Sequence, residues 1–145
     1  MKEIFVLRHA KSSWNNVNLS DHDRPLADRG IKDAAKLCVF VKNKGYMLDE
    51  VLCSTAKRAK ETFDLTADGF NFEIGRTTYT DKLYFGDATD LIKHLRDLDE
   101  SLNNILIVGH NPTLHHLVEL LANEQIDRFT TCNLAIISHA GKWIT

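Results

Sequence analysis

Arginine and histidine residues stand at the ends of apolar segments in three parts of the chain. The segments, each with the basic residues that come after it, are 4–7 with Arg8 and His9, 50–53 with Arg58, and 105–108 with His110. Apolar runs of this length, rich in branched side chains, are typical of strands buried on both faces of a sheet. Because ligands bind at the carboxyl ends of parallel strands, we expect these basic side chains to meet at one edge.

A set of this kind is suited to a small dianion such as a phosphoryl group. Arginine presents a planar fork of donors that matches phosphate oxygens, and a neutral histidine can attack phosphorus and carry the phosphoryl group covalently. A second histidine and the arginines would then stabilise charge on the phosphoryl oxygens. His110 is also followed by Asn111 and Pro112, a strong helix start, and the N-terminus of a helix favours anions.

No metal or cofactor is predicted to assist this chemistry. The sequence contains neither a phosphate-binding glycine-rich loop nor a carboxylate-rich magnesium motif, so the positive charge is expected from side chains. His115 and His116 could join His110 in a metal site, but offsets of five and six residues do not give the helix face that zinc pairs use. No cysteine or carboxylate completes such a set.

The bulk composition is that of an ordinary globular chain of 145 residues, with 43% hydrophobic residues and a formal net charge of -2. The charge argues against a nucleic-acid partner, and no run approaches the ~20 apolar residues of a membrane span. Cys38, Cys53 and Cys132 are widely spaced, which favours free thiols over disulfides. Because the first three residues lead directly into a strand, no signal peptide is expected and a cytoplasmic location is predicted.

Helical and strand patterns alternate along the chain. Helices are predicted over 26–44, from a cap at Ser54 or Thr55, from a cap at Asp87 through Leu98, and from Asn111. Strands are predicted over 4–7, 50–53, 70–74, 105–108 and 134–137, and the residues between 74 and Gly86 are predicted to form a loop. This alternation implies right-handed crossovers and a mainly parallel sheet flanked by helices. Without a linker or repeat, residues 1–145 are predicted to form a single three-layer α/β/α domain.

The basic residues belong to motifs that resemble those of the histidine phosphatase superfamily, which has a phosphoglycerate mutase-like fold. The matching segments are Leu7-Arg8-His9-Ala10-Lys11 with Trp14-Asn15, Arg24-Pro25-Leu26 with Gly30, Ser54-x-x-x-Arg58-Ala59-x-x-Thr62, and Val108-Gly109-His110-Asn111-Pro112. The short length, Leu83-Tyr84 and the segment from Thr131 to Trp143 are similar to the SixA branch of phosphohistidine phosphatases. The resemblance covers nearly the whole chain, and the motifs keep their order.

The resemblance implies a catalytic role for four residues. His9 would be the nucleophile that becomes phosphorylated, and Arg8, Arg58 and His110 would bind the phosphoryl group. The substrate would be a phosphate-bearing group, with histidine-phosphorylated protein as the expected partner.

Other residues of the motifs are implied at the substrate or in the loop beside it. The implied substrate-binding residues are Asn15, Arg24 and Asn111, with Arg24 close either to the phosphate or to the partner surface. Ala10 stands where many members of the superfamily have glycine. This small change is expected to be tolerated unless the backbone there needs a positive φ.

A general acid is not evident from the sequence. Hydrolysis of a phosphate ester needs a proton for its poor leaving group, and the stretch around Leu83 and Tyr84 offers only Asp81 and Asp87. We expect a loop carboxylate at Asp81 and a helix cap at Asp87. A phosphohistidine substrate needs an acid less, because its imidazole leaving group is readily protonated. The alternatives are a small-molecule phosphomonoesterase or mutase with either aspartate as acid, and a non-catalytic phosphate-binding module.

Overall fold

The computed structural model describes residues 2–140 and contains a five-stranded sheet with helices on both faces. Its strands are β1 (Lys2–Arg8), β2 (Glu50–Ser54), β3 (Thr78–Thr80), β4 (Asn104–Gly109) and β5 (Leu134–His139). Their order in the sheet is β3-β2-β4-β1-β5. The first four are parallel, and β5 runs antiparallel to β1 at one edge. The predicted α/β class and mainly parallel sheet are therefore confirmed.

The helices cover the two faces of this sheet. They are α1 (Asp28–Lys44), α2 (Lys57–Thr66), α3 (Lys82–Phe85), α4 (Ala88–Arg96) and α5 (Thr113–Ala122). Side chains alternate across β1, so that Ile4 and Val6 pack in a core with α3, α4 and α5. Phe5 and Leu7 pack on the opposite face in a core with α1 and α2. A strand buried on both faces must be apolar throughout, which explains the first apolar run.

The helix boundaries follow local chemistry. Helix α1 ends at Gly45, which takes the left-handed φ of 68° that closes a helix at low cost. Asp87 caps α4 in a reciprocal capping box with Asp90, as predicted for this cap. Helix α5 begins at Thr113 rather than with Asn111 as its cap. The Asn111 side chain nevertheless accepts the backbone N–H of His115 at 3.2 Å, so it still satisfies a donor in the first turn.

The prediction for residues 70–86 was wrong in two respects. Residues 70–74 contain the end of a turn, an irregular stretch and the start of a 3-10 helix (Ile74–Arg76) rather than a strand, and the predicted loop that follows contains β3 and α3. Phe70 and Phe72 alternate because both rings reach the core from either side of Asn71, which has a φ of 53°. The backbone pairing with β2 is made instead by Thr78–Thr80, a segment too short and polar to be recognised.

The segment after β1 is held close to the helices. The backbone N–H of Ala10 donates to the Thr62 hydroxyl of α2 at 2.9 Å, and Ala10 lacks a positive φ, so alanine is accommodated there. Gly30 of α1 touches the backbone of Lys11, where an added Cβ would lie 2.1 Å from the carbonyl oxygen. These close approaches fix the residues that follow His9.

Within residues 2–140, no helix has the length and apolar character needed to cross a bilayer. Trp143, part of the C-terminal resemblance, lies outside the described residues.

Candidate active site

His9 directly follows the carboxyl end of β1, and the contacts of its ring settle which nitrogen carries the proton. Its Nδ1 is 2.7 Å from the carbonyl oxygen of Ala10, and because a carbonyl can only accept, Nδ1 carries the ring proton. The ring is buried, and burial together with the positive charges of Arg58 and Arg8 lowers the pKa of His9 to about 4. His9 is therefore neutral at pH ~7, with an unprotonated Nε2.

His110, at the end of β4, faces His9 across the site. The two ring centroids are 5.1 Å apart, and His110 Nε2 is 2.8 Å from the Ser54 hydroxyl at the end of β2. Burial lowers the pKa of His110 to about 3, together with the His9 ring when that ring is protonated and the positive charge of Arg58. The Nδ1 atom of His110 is buried and has no hydrogen-bond partner among the described residues.

Both motif arginines lie beside these histidines, with Arg58 buried and Arg8 half-buried. Arg8 donates from Nη1 to the carbonyl oxygen of Phe129 at 3.2 Å, and Arg58 lies in the first turn of α2. The Nε atoms of both arginines are buried and have no hydrogen-bond partner within residues 2–140. The structure thus brings Arg8, His9, Arg58 and His110 together at one edge of the sheet, as the parallel arrangement predicts.

Asp21 also lies at this site, although no pattern in the sequence distinguishes it from the other aspartates of its loop. It lies on a 3-10 turn (Asp21–Asp23) in the loop after β1. Its Oδ2 accepts from Arg58 Nη2 at 3.0 Å and from the Tyr84 hydroxyl at 2.5 Å, and its Oδ1 accepts from Arg24 Nε at 3.1 Å. The Tyr84 hydrogen bond and the charge of Arg58 lower the pKa of Asp21 to about 2, so the carboxylate is ionised.

Tyr84 and His22 form the wall next to Asp21. The Tyr84 ring packs edge-on against His110, with centroids 5.5 Å apart, and against His22, with centroids 4.9 Å apart. His22 is half-buried, and its Nε2 lies 2.9 Å from the hydroxyl oxygen of Thr55. A histidine in a polar loop gives no pattern from which this position could be predicted.

The three implied substrate-binding residues differ in burial and in hydrogen-bond partners. Arg24 is buried and already occupied, because it donates to Asp21 and, at 2.9 Å, to the Ser12 hydroxyl. Asn111 donates to the carbonyl oxygen of Phe129 at 2.6 Å, which is also the acceptor of Arg8. Asn15 is exposed, and its backbone N–H donates to the Ser13 hydroxyl. Arg24 and Asn111 thus contact groups that position the arginines.

The two aspartates considered as acids have different surroundings. Asp87 is engaged in the capping box of α4, where its carboxylate accepts the backbone N–H of Asp90 at 3.0 Å. Asp81 accepts a short hydrogen bond from the Thr55 hydroxyl, and that hydroxyl also meets His22. Since a hydroxyl has one proton, and Thr55 donates it to Asp81, His22 Nε2 donates to Thr55.

The residues that the structure describes contain no group of three or more histidine, cysteine, aspartate or glutamate side chains arranged to hold a metal ion. The three cysteines are free thiols.

Comparison with known proteins agrees with the motifs and the fold. The model of the histidine phosphatase superfamily (branch 1) matches residues 4–91. An uncharacterized protein of Mycobacterium leprae is 34% identical, over 94% of this chain and 89% of that protein. The phosphohistidine phosphatase SixA of Escherichia coli is 25% identical, over 94% of this chain and 84% of that protein.

A solved structure of the protein histidine phosphatase SixA, complexed with tungstate, superposes with a TM-score of 0.85 at 25% identity. The match covers 94% of this chain and 87% of that one. Because the family model spans more than half of the chain and the fold agrees over nearly all of it, the chain belongs to the histidine phosphatase superfamily.

Proposed function

We propose that the chain is a metal-independent phosphatase that forms a covalent phosphohistidine intermediate on His9 and removes phosphate from phosphohistidine on a partner protein. The observation that carries this proposal is the state of His9. Its proton is held at Nδ1 by the Ala10 carbonyl, and its low pKa leaves Nε2 with a free electron pair. This is the form of imidazole that can attack phosphorus.

The reaction proceeds in two displacements. In the first, His9 Nε2 forms a bond to phosphorus while the bond between phosphorus and the leaving nitrogen breaks, and the leaving imidazole takes up a proton from solvent. In the second, water attacks phosphorus, the P–Nε2 bond breaks, and its electron pair returns to Nε2; one proton of the water stays on the inorganic phosphate and the other is released to solvent. The Nδ1 proton stays on the ring throughout, and the Ala10 carbonyl stabilises the cationic ring of the intermediate.

The charge that develops on the phosphoryl oxygens has partners in the pocket. Arg8 and Arg58 have buried Nε–H donors without acceptors among the described residues, and His110 Nδ1 is a third such donor in the tautomer whose Nε2 accepts from Ser54. Buried polar groups are normally hydrogen-bonded, so an oxyanion that supplies the missing acceptors would be bound favourably. The tungstate complex of the similar SixA protein supports this assignment, because tungstate is a tetrahedral oxyanion like phosphate.

The preference for phosphohistidine follows from the carboxylates of the site. Asp21 contacts Arg58 but is ionised because its pKa is about 2, so it cannot donate a proton near neutral pH. Asp87 is used as a helix cap. An ester would depart as a poor alkoxide without an acid, whereas an imidazole is protonated readily as it leaves. The similarity to SixA supports the same preference.

The alternative function is hydrolysis or transfer of a phosphate ester. The chain of hydrogen bonds from Asp81 through Thr55 to His22 is the feature that favours it, because it could hold a proton beside the site. The two functions differ in substrate but share His9. A non-catalytic phosphate-binding module would instead bind phosphate without turning over any substrate.

A side-by-side assay separates these functions. Initial rates are measured on a histidine-phosphorylated protein and on several phosphate esters, with and without EDTA. We expect faster turnover of the phosphohistidine protein, no effect of EDTA, and loss of turnover in His9→Ala. His116→Ala, which removes an exposed histidine of α5, is the matched control and should retain the activity. Faster turnover of an ester would support the alternative, and no turnover of any substrate would support the binding module.

A further inference from the structure

Asp21 is the outermost charge of the arginine cluster. The side chains of Arg58 and Arg24 are only 7% and 8% exposed, whereas the Asp21 side chain is 47% exposed. The carboxylate therefore lies between the buried arginines and solvent. The charge of Asp21 also acts on His110, so a substrate group that projects from the phosphoryl site on this side would pass near it.

The contacts of Arg58 allow Asp21 to remain in place when a phosphoryl group binds. Arg58 donates from Nη1 to the backbone carbonyl of Asp21 at 2.7 Å and from Nη2 to its carboxylate at 3.0 Å. The Nε edge of the same guanidinium stays unpartnered and buried. An oxyanion can thus bind the Nε edge of the fork without displacing the carboxylate from the outer end.

We infer that Asp21 is a specificity-determining residue. Its negative charge at the pocket mouth favours substrates whose phosphate-bearing group is cationic and disfavours substrates that carry a second anionic group. This inference rests on one part of the proposed function, namely that the pocket binds the phosphoryl group. A protonated phosphoimidazole belongs to the favoured class. A phosphorylated carboxylic acid belongs to the disfavoured class, since its carboxylate would face that of Asp21 at short range.

Two small phosphate esters, whose phosphate-bearing groups have charges of opposite sign, test the inference. O-phosphoethanolamine carries an ammonium group and phosphoglycolate a carboxylate, while both are short and carry the same phosphoryl group. The measured quantity is the ratio of their affinities for the His9→Ala protein, determined by calorimetry, so that no turnover is required. We expect Asp21→Asn to lower the preference for O-phosphoethanolamine roughly tenfold, the scale of a charge interaction at a partly exposed site.

The asparagine substitution isolates the charge. Its side-chain oxygen can still accept from Arg58, and the backbone carbonyl of residue 21 remains available to Arg58 Nη1. Asp23→Asn is the matched control, because Asp23 lies on the same turn and its carboxylate contacts Ser20 and His22 but neither arginine. Partial unfolding would weaken both ligands together and leave their ratio unchanged.

Two results would overturn the inference: an affinity ratio that stays within about twofold of the parent value in Asp21→Asn, or an equal fall in Asp23→Asn. Failure of the proposed function would be recognised separately. If the protein turns over no phosphohistidine but the affinity ratio still depends on Asp21, the phosphatase proposal fails and the assignment of Asp21 stands.

Discussion

Acidification should destabilise the folded chain, because two buried histidines must remain neutral within it. In the unfolded chain both rings have the ordinary pKa of 6.5, whereas folding lowers the pKa of His9 to about 4 and that of His110 to about 3. Above pH ~6.5 such a histidine is neutral in both the folded and the unfolded chain, so its depressed pKa does not change the free energy of unfolding. As the pH falls below ~6.5, only the unfolded chain gains protons, and the free energy of unfolding decreases.

The size of the effect follows from these shifts. One pKa unit corresponds to about 1.4 kcal/mol, so each ring should remove about 3 kcal/mol between pH ~6.5 and ~4. The loss for the pair approaches the whole stability of a typical domain, about 5–15 kcal/mol. Asp21 does not account for a loss in this window, since its depressed pKa of about 2 removes stability only below the ordinary carboxyl value of 3.8.

Urea unfolding at a series of pH values measures this dependence. We expect His110→Asn to reduce the loss between pH ~6.5 and ~4 by about half, because one of the two titrating rings is gone. His116→Asn, at an exposed position, should leave the dependence as it is in the parent. A free energy of unfolding that is constant across this range, or a His110→Asn slope equal to that of the parent, would refute the assignment of neutral buried rings.

Three further substitutions test other parts of the account. Gly30→Ala should lower the free energy of unfolding by about 3 kcal/mol or more in urea titration, because its Cβ would lie 2.1 Å from the Lys11 carbonyl, and Gly75→Ala, at an open position, should cost less than about 1 kcal/mol. Asp87→Ala should lower the free energy of unfolding by about 1 kcal/mol in the same titration, because the cap of α4 is lost. The kcat on phosphohistidine protein should stay within about twofold of the parent value, and a hundredfold loss of kcat would instead identify Asp87 as a general acid. Asp81→Asn should likewise lower turnover of phosphohistidine less than about threefold, and a large loss confined to esters would support the ester function.

The sequence was sufficient to predict the central residues of the site because they follow strands. A strand buried on both faces leaves a long apolar run, and its carboxyl end fixes where the next side chains lie. Arg8, His9 and His110 could therefore be assigned to one sheet edge, and the motif around Arg58 added the second arginine. Their roles in catalysis remain the proposal that the experiments test.

The rest of the site lies in segments without periodicity. Asp21 is one of several aspartates in a polar loop, and nothing local indicates that it pairs with Arg58, which lies 37 residues further along the chain. Tyr84 reaches Asp21 from α3, a four-residue helix that follows the short strand β3. Both β3 and α3 fall in the region that was predicted incorrectly, because the spacing of Phe70 and Phe72 matches the alternation expected of a strand. Contacts made by tertiary packing between loops leave no such pattern.

The central claim is that His9 carries the phosphoryl group. The most direct measurement is mass spectrometry of the protein quenched during turnover of a histidine-phosphorylated substrate, under alkaline conditions that preserve phosphohistidine. We predict a fraction of the chain heavier by one phosphoryl group, with the modification located at His9 and absent from the His9→Ala protein. Turnover without any phosphorylated form, or a phosphoryl group located on another residue, would contradict the account.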